Sequence, residues 1–142
     1  MNMNLPLSNR RILITGIANE QSLALAVAER LQAEGADLVC AGLGATRHNE
    51  HVSKSAADFL AAAQDSFQEA VWSRLGKETP TVVFDVSLDE SLEDAACELS
   101  DAQLELDGVL HAIALDRTIR GGEVKPLLEV EFHAHRRAGC EH

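Results

Sequence analysis

Apolar residues in this chain fall into short runs separated by stretches with helical spacing. Residues 12–14 form an apolar run that ends in Thr15-Gly16, and residues 38–41 form a second, broken by Gly42-Leu43-Gly44. Between them Leu23, Ala26, Val27 and Leu31 recur at i, i+3, i+4 and i+8, the spacing of one buried helix face. Gly35 stands just past that stripe, where a left-handed residue commonly ends a helix. The pattern predicts a strand over 11–15, a helix over about 22–34 and a strand over 37–41.

Residues 45–51 are polar and read as a loop, after which Ser53 or Ser55 opens a second helix, with Ser55-Ala56-Ala57-Asp58 as its cap. Phe59, Leu60, Ala63, Phe67, Ala70, Val71 and Leu75 supply its apolar face, and Gly76 ends it. Pro80 precedes a third strand over 81–85. Ser87-Leu88-Asp89-Glu90 has the form of a capping box for a third helix, whose stripe is Leu88, Leu92, Ala95, Ala96 and Leu99. Asp107-Gly108 signals a turn before a fourth strand over 109–114.

The order is therefore βαβαβαβ. Right-handed crossovers turn that order into a parallel sheet of strand order 3-2-1-4 with helices on both faces. The fold class is α/β: a three-layer, Rossmann-like sheet amounting to the first, truncated half of a doubly wound domain. Beyond residue 115 the pattern decays. Residues 117–123 are polar and Gly-rich, and 126–130 read as a helix start. The expected organisation is one strand–helix unit over 1–115 and an irregular or partly helical tail over 116–142.

Length and composition narrow this further. A chain of 142 residues fits one domain, and 46% apolar content with 4% aromatic makes a core of Ala, Leu, Val and Ile. The net charge of −11 argues against nucleic acid and against anionic membrane as partners. No apolar run approaches the roughly 20 residues that span a bilayer. The first residues carry their charges after their apolar positions, the wrong order for a secretory signal, and Cys40, Cys97 and Cys140 are too widely spaced for a disulfide scaffold. A cytoplasmic protein is expected.

The chemistry is expected at the first strand–helix turn, where a helix N-terminus meets a ligand's phosphates. Gly16 permits a sharp exit from the strand, small residues at Ala18 and Ser22 let backbone approach a pyrophosphate, and the Ser22 hydroxyl can add a hydrogen bond. The second strand ends in Cys40-Ala41-Gly42, without an acid for a ribose 2′-hydroxyl. Arg47 nearby could favour a 2′-phosphate, although a solvated loop arginine explains it as well. His111 reads as a core histidine. His133, His135, Cys140 and His142 are capable metal ligands, but their spacing matches no zinc template and no metal site is expected.

The turn is not G-x-G-x-x-G. Gly16, five intervening residues and then Ser22-Leu23-Ala24 resemble the divergent cofactor loop of the enoyl-acyl-carrier-protein reductases, within the short-chain dehydrogenase/reductase superfamily. The resemblance continues at 34–38, at Phe84-Asp85-Val86 and at 106–114, while the interval between strands two and three is longer than the family's. It implies that Gly16, Ile17, Ala18, Ser22 and Leu23 lie along the pyrophosphate and nearby ribose. Asp85 and Val86 would contact the adenine, and Ala112, Ile113 and Ala114 would line the cofactor at the end of strand four. For Asp85 a helix-entry role, and for Ile113 plain core packing, stand as alternatives.

The implied cofactor is NAD(H), with NADP(H) left open, and the implied activity is NADH-dependent reduction of 2-enoyl thioesters in fatty-acid biosynthesis, with acyl carrier protein a partner by resemblance only. The family's catalytic tyrosine and lysine have no counterpart: there is no tyrosine, and Lys125 comes too early and precedes Pro126. No catalytic residue is assigned, and the chain is expected to be inactive alone. The alternative is a non-catalytic Rossmann-type module that binds a nucleotide or a protein, self-associating through the exposed edge of strand four.

Overall fold

β1 (Arg11–Thr15), β2 (Asp37–Gly42), β3 (Thr81–Val83) and β4 (Gly108–Leu110) form one parallel sheet in the expected order β3-β2-β1-β4. The computed structural model describes residues 4–113 and the backbone of 119–120 and 123–124, in two units, Met1–Ala112 and Ile113–His142. In the first unit α1 (Leu23–Ala33) and α2 (Lys54–Leu75) pack together on one face of the sheet. The β3-to-β4 crossover runs back past β2 and β1, so a right-handed connection puts α3 (Asp89–Asp101) on the opposite face. The Rossmann-like expectation is met.

The main core lies under α1 and α2. Ile14, Leu38 and Cys40 point into it from the strands, against Ala24, Leu25 and Ala28 of α1 and Phe67, Ala70, Val71 and Leu75 of α2. Gly42 lets sheet and helix approach closely: a Cβ there would lie 2.5 Å from the Phe67 ring. Strand alternation sends Val39 and Ala41 to the other face, where they are also buried. Cys40 is sealed in, and its burial pushes the thiol pKa up to about 12.

Three apolar stripes differ in phase or depth from the sequence expectation. In α1 the buried residues are Ala24, Leu25 and Ala28, whereas Leu23 is 80% exposed and Val27 faces solvent. Every residue over 23–28 is apolar, so spacing alone leaves two faces eligible; the small Ala24 and Ala28 win because they allow close packing on the sheet. In α2 the face holds except for Phe59, which is exposed beside the buried Leu60. In α3 only Ser91 is fully buried, and Leu92 remains exposed.

Element ends differ where side chains outcompete the ladder. α2 is capped by Ser53, whose hydroxyl accepts from Ala56 N–H at 3.3 Å, so the Ser55–Asp58 cap is not used. The Ser87–Glu90 capping box does not form either. The Ser87 amide and hydroxyl both donate to Asp85 Oδ1, at 2.9 and 2.6 Å, and α3 starts after Leu88 without a side-chain cap. β3 thus stops at Val83, not 85, and β4 stops at Leu110, not 114, because the backbone beyond it turns toward Thr15. His111 is exposed, not a core histidine. At the opposite end of the sheet Asp107 sets the start of β4: its Oδ2 accepts from Arg11 N–H at 2.8 Å, and its own N–H donates to Arg11 C=O at 2.8 Å.

In the second unit the backbone forms an antiparallel pair, β5 (Ile119–Arg120) and β6 (Glu123–Val124), within the tail expected to be irregular or partly helical. Ala114, Lys125, the helix start at 126–130 and the candidate ligands His133, His135, Cys140 and His142 lie outside the described residues. Among the described residues no helix is long and apolar enough to cross a membrane.

The core packing sets two expectations for stability. Phe67→Ala should lower unfolding free energy by about 3–5 kcal/mol in urea titration, the range for emptying a well-packed aromatic site. Cys40 has a folded pKa raised from 9.0 to about 12, so its contribution is complete below pH 9 and is lost as pH rises toward 12. Cys40→Ala should remove that part of the alkaline loss, measured by urea unfolding across the same range.

Candidate functional site

The carboxyl ends of β1 and β4 are neighbours where the strand order reverses, with β2 and β3 on one side of β1 and β4 on the other, the kind of switch point where open α/β sheets bind ligands. Here the two chain exits touch. Gly16 has φ +88°, and a Cβ built on it would overlap the Ala112 carbonyl oxygen and lie 2.6 Å from the carbonyl carbon. Both the left-handed conformation and the contact exclude any other residue. Thr15, 4% exposed, closes the junction with its hydroxyl. Oγ1 accepts from Ala112 N–H at 3.2 Å and turns its one proton to Leu110 C=O at 3.3 Å or His111 Nδ1 at 3.2 Å.

The turn after β1 is held by its own side chains. Ala18 and Asn19 N–H both donate to Ser22 Oγ, at 2.9 and 3.1 Å, and Gln21 N–H donates to Asn19 Oδ1 at 2.9 Å. α2 fixes the turn from behind: Ser66 Oγ donates to Ala18 C=O at 2.9 Å, and Ser73 Oγ donates to Glu20 Oε1 at 3.0 Å. Ser22 is the N-cap residue by position, yet its hydroxyl makes no bond to the helix. Its two lone pairs are taken by the turn and its proton is free, so it can only donate outward. Among the described residues the first-turn amides of Leu23 and Ala24 also have no acceptor.

This donor set suits an anion that brings no demand for a cation. No lysine or arginine occurs between Arg11 and Arg30, so a phosphate here would be met by backbone N–H groups, the Ser22 proton and the helix dipole. Ile17 is 2% exposed, so its side chain belongs to the core and only its backbone faces the turn. Ala18 and Leu23 are exposed beside it.

Asp85 and Val86 lie just beyond β3 at the same end of the sheet and are half-buried. Asp85 does serve the start of α3: Oδ1 accepts twice from Ser87, while its N–H donates to the buried Ser91 hydroxyl at 2.8 Å. Oδ2 has no partner among the described residues, which leaves one acceptor for a ligand. Arg47, expected as a solvated loop side chain or a phosphate contact, is instead bound to Asp94 of α3 through Nε at 2.6 Å and Nη2 at 2.5 Å. That pairing holds the Asp94 carboxyl below its usual range.

The structure thus brings Gly16, Ala18, Ser22, Leu23 and Ala112 to one edge of the sheet, with Asp85 and Val86 on the same edge beyond β2. Ile113 is half-buried in the second unit, and Ala114 lies outside the described residues. Sequence reasoning misses Thr15. Its signal is a hydroxyl at the last position of an otherwise aliphatic strand, facing an exit that only the tertiary fold brings near.

Known proteins share this fold. The family model described as enoyl-(acyl carrier protein) reductase matches residues 16–136. The NADH enoyl-acyl-carrier-protein reductase of Haemophilus influenzae is 30% identical over 108 residues, which is 76% of this chain and 34% of that protein. The crystal structure of the NADH enoyl-acyl-carrier-protein reductase from Aquifex aeolicus superposes with a TM-score of 0.58 at 28% identity, over 79% of this chain and 37% of that one. The reductase from Anaplasma phagocytophilum, solved in complex with NAD, gives 0.59 at 25% identity, over 83% and 38%. The chain therefore spans little more than a third of the length of these relatives. With a family model covering most of its length and the same strand order, the chain belongs to the enoyl-(acyl carrier protein) reductase family of oxidoreductases.

Proposed function

We propose that this chain binds a nicotinamide dinucleotide along the β1–α1 turn, as the cofactor-holding part of an enoyl-acyl-carrier-protein reductase. The observation that carries this is the Ser22 hydroxyl: it ties the turn shut through two amides and keeps its proton for an outside acceptor, beside two first-turn N–H groups with no partner. Bound NADH would supply hydride to a 2-enoyl thioester. The residues named here bind and orient it. Ser22 and the amides of Leu23 and Ala24 hold the pyrophosphate, Gly16 and Ala18 keep the approach open, and the exposed Leu23 side chain covers the ribose. Asp85 Oδ2 accepts from the adenine amino group over Val86, and Ala112 continues the wall toward the nicotinamide.

The 142-residue sequence contains no tyrosine to polarise a thioester carbonyl, so the chain by itself is a binding unit without turnover. Acyl carrier protein as a partner comes from the relatives' names, the cytoplasm as its compartment from the sequence, and fatty-acid biosynthesis as its setting from the family resemblance; all three are part of the same proposal.

NADH at about a hundred times its dissociation constant should stabilise the fold by about 2.7 kcal/mol and raise the melting temperature by several degrees. No shift at saturating cofactor would refute the reading. Ser22→Ala should weaken binding by roughly tenfold, since it both loosens the turn and removes a donor to charged oxygen. With crotonyl thioester and NADH, absorbance at the nicotinamide band should fall no faster than in a boiled control.

A further inference from the structure

The dinucleotide reading leaves open how NADH and NADPH are told apart, and the usual device is missing. Folds of this kind reject a 2′-phosphate with an acid at the end of the second strand. Here the end of β2 and the loop beyond it, Ala41-Gly42-Leu43-Gly44-Ala45-Thr46, contain no carboxylate, and the next residue is Arg47, the side chain type that welcomes a phosphate. Left free, Arg47 would make this an NADPH site.

It is not free. Residues Arg47–Asn49 form a 3₁₀ turn pinned by reciprocal bonds: Thr46 N–H and Oγ1 donate to Asn49 Oδ1 at 2.9 and 2.7 Å, and His48 N–H donates to Thr46 Oγ1 at 3.3 Å. The turn presents two neighbouring side chains to one carboxylate on α3. Asp94 Oδ2 accepts from Arg47 Nε at 2.6 Å, Oδ1 from Arg47 Nη2 at 2.5 Å, and His48 Nε2 stands 2.7 Å from Oδ2. The guanidinium fork is thus spent on a carboxylate, the anion whose geometry most resembles the phosphate it would otherwise bind. Arg47 remains 71% exposed and Asp94 40%, so the pair is open to competition and not a buried structural link.

We propose that Asp94 sets the dinucleotide preference of this chain: by occupying Arg47 it supplies, from α3, the negative charge that the end of β2 lacks, and so disfavours a 2′-phosphate. The proposal rests on the dinucleotide reading above. Asp94 is a positioning residue that acts through Arg47.

The test is a fluorescence titration of the 142-residue protein with NADH and with NADPH, in wild type, Asp94→Asn, Arg47→Gln and the double variant. The wild type should favour NADH. Asp94→Asn should raise the NADPH-to-NADH affinity ratio by roughly fivefold, the scale of one exposed ion pair released. In the Arg47→Gln background the same substitution should leave the ratio unmoved. An unchanged ratio in Asp94→Asn, with both nucleotides binding, would overturn the proposal alone. A rise that persists without Arg47 would also overturn it, since Asp94 would then act directly. Failure of the wild type to bind either nucleotide would overturn the dinucleotide reading and this inference with it. If Asp94→Asn does not melt cooperatively, Asp94→Ser carries the same test.

Discussion

The structure turns on one contact: the backbone of Ala112 rests where the side chain of residue 16 would be. Glycine is required there by sterics before any ligand is considered. The contact brings the exits of β1 and β4 together at the reversal point of the sheet, and the Thr15 hydroxyl fastens them on both sides. Everything that makes the edge usable depends on it. The chain after β4 leaves the ladder at Leu110, and the turn after β1 leads into α1, whose Leu23 and Ala24 amides have no acceptor among the described residues.

Around that contact the fold divides its labour. α2 carries Phe67 and Val71 into the core and Ser66 and Ser73 to the turn after β1. α3, with only Ser91 fully buried, does electrostatic work instead: Ser91 holds the Asp85 backbone and Asp94 holds Arg47 and His48. Cys40, centrally buried, is a packing residue whose thiol stays protonated through neutral pH.

The strand order, the identity of each helix and the position of the β1–α1 turn are legible in the sequence because each rests on local signals: apolar runs, glycine stops and one spaced motif. The details that differ are decided by tertiary competition. The α1 stripe is misphased because Leu23 and Val27 look as buriable as Ala24 and Ala28, and only close packing on the sheet separates them. The Ser87 box loses to Asp85, and strand four ends early because Thr15, distant in sequence, offers its backbone a better partner. Arg47 cannot be read at all without Asp94, since nothing in the sequence announces a pair across 47 positions.

The edge built on Gly16 and Ala112 is, on this account, the nucleotide cradle. Amide chemical-shift mapping of the isotope-labelled chain with NAD tests that most directly. Perturbations are predicted to concentrate at Gly16–Ala24, Asp85–Val86 and Ala112. Perturbations confined to the opposite end of the sheet, around Arg10, Arg11 and Asp107, or none at saturating NAD, would contradict it.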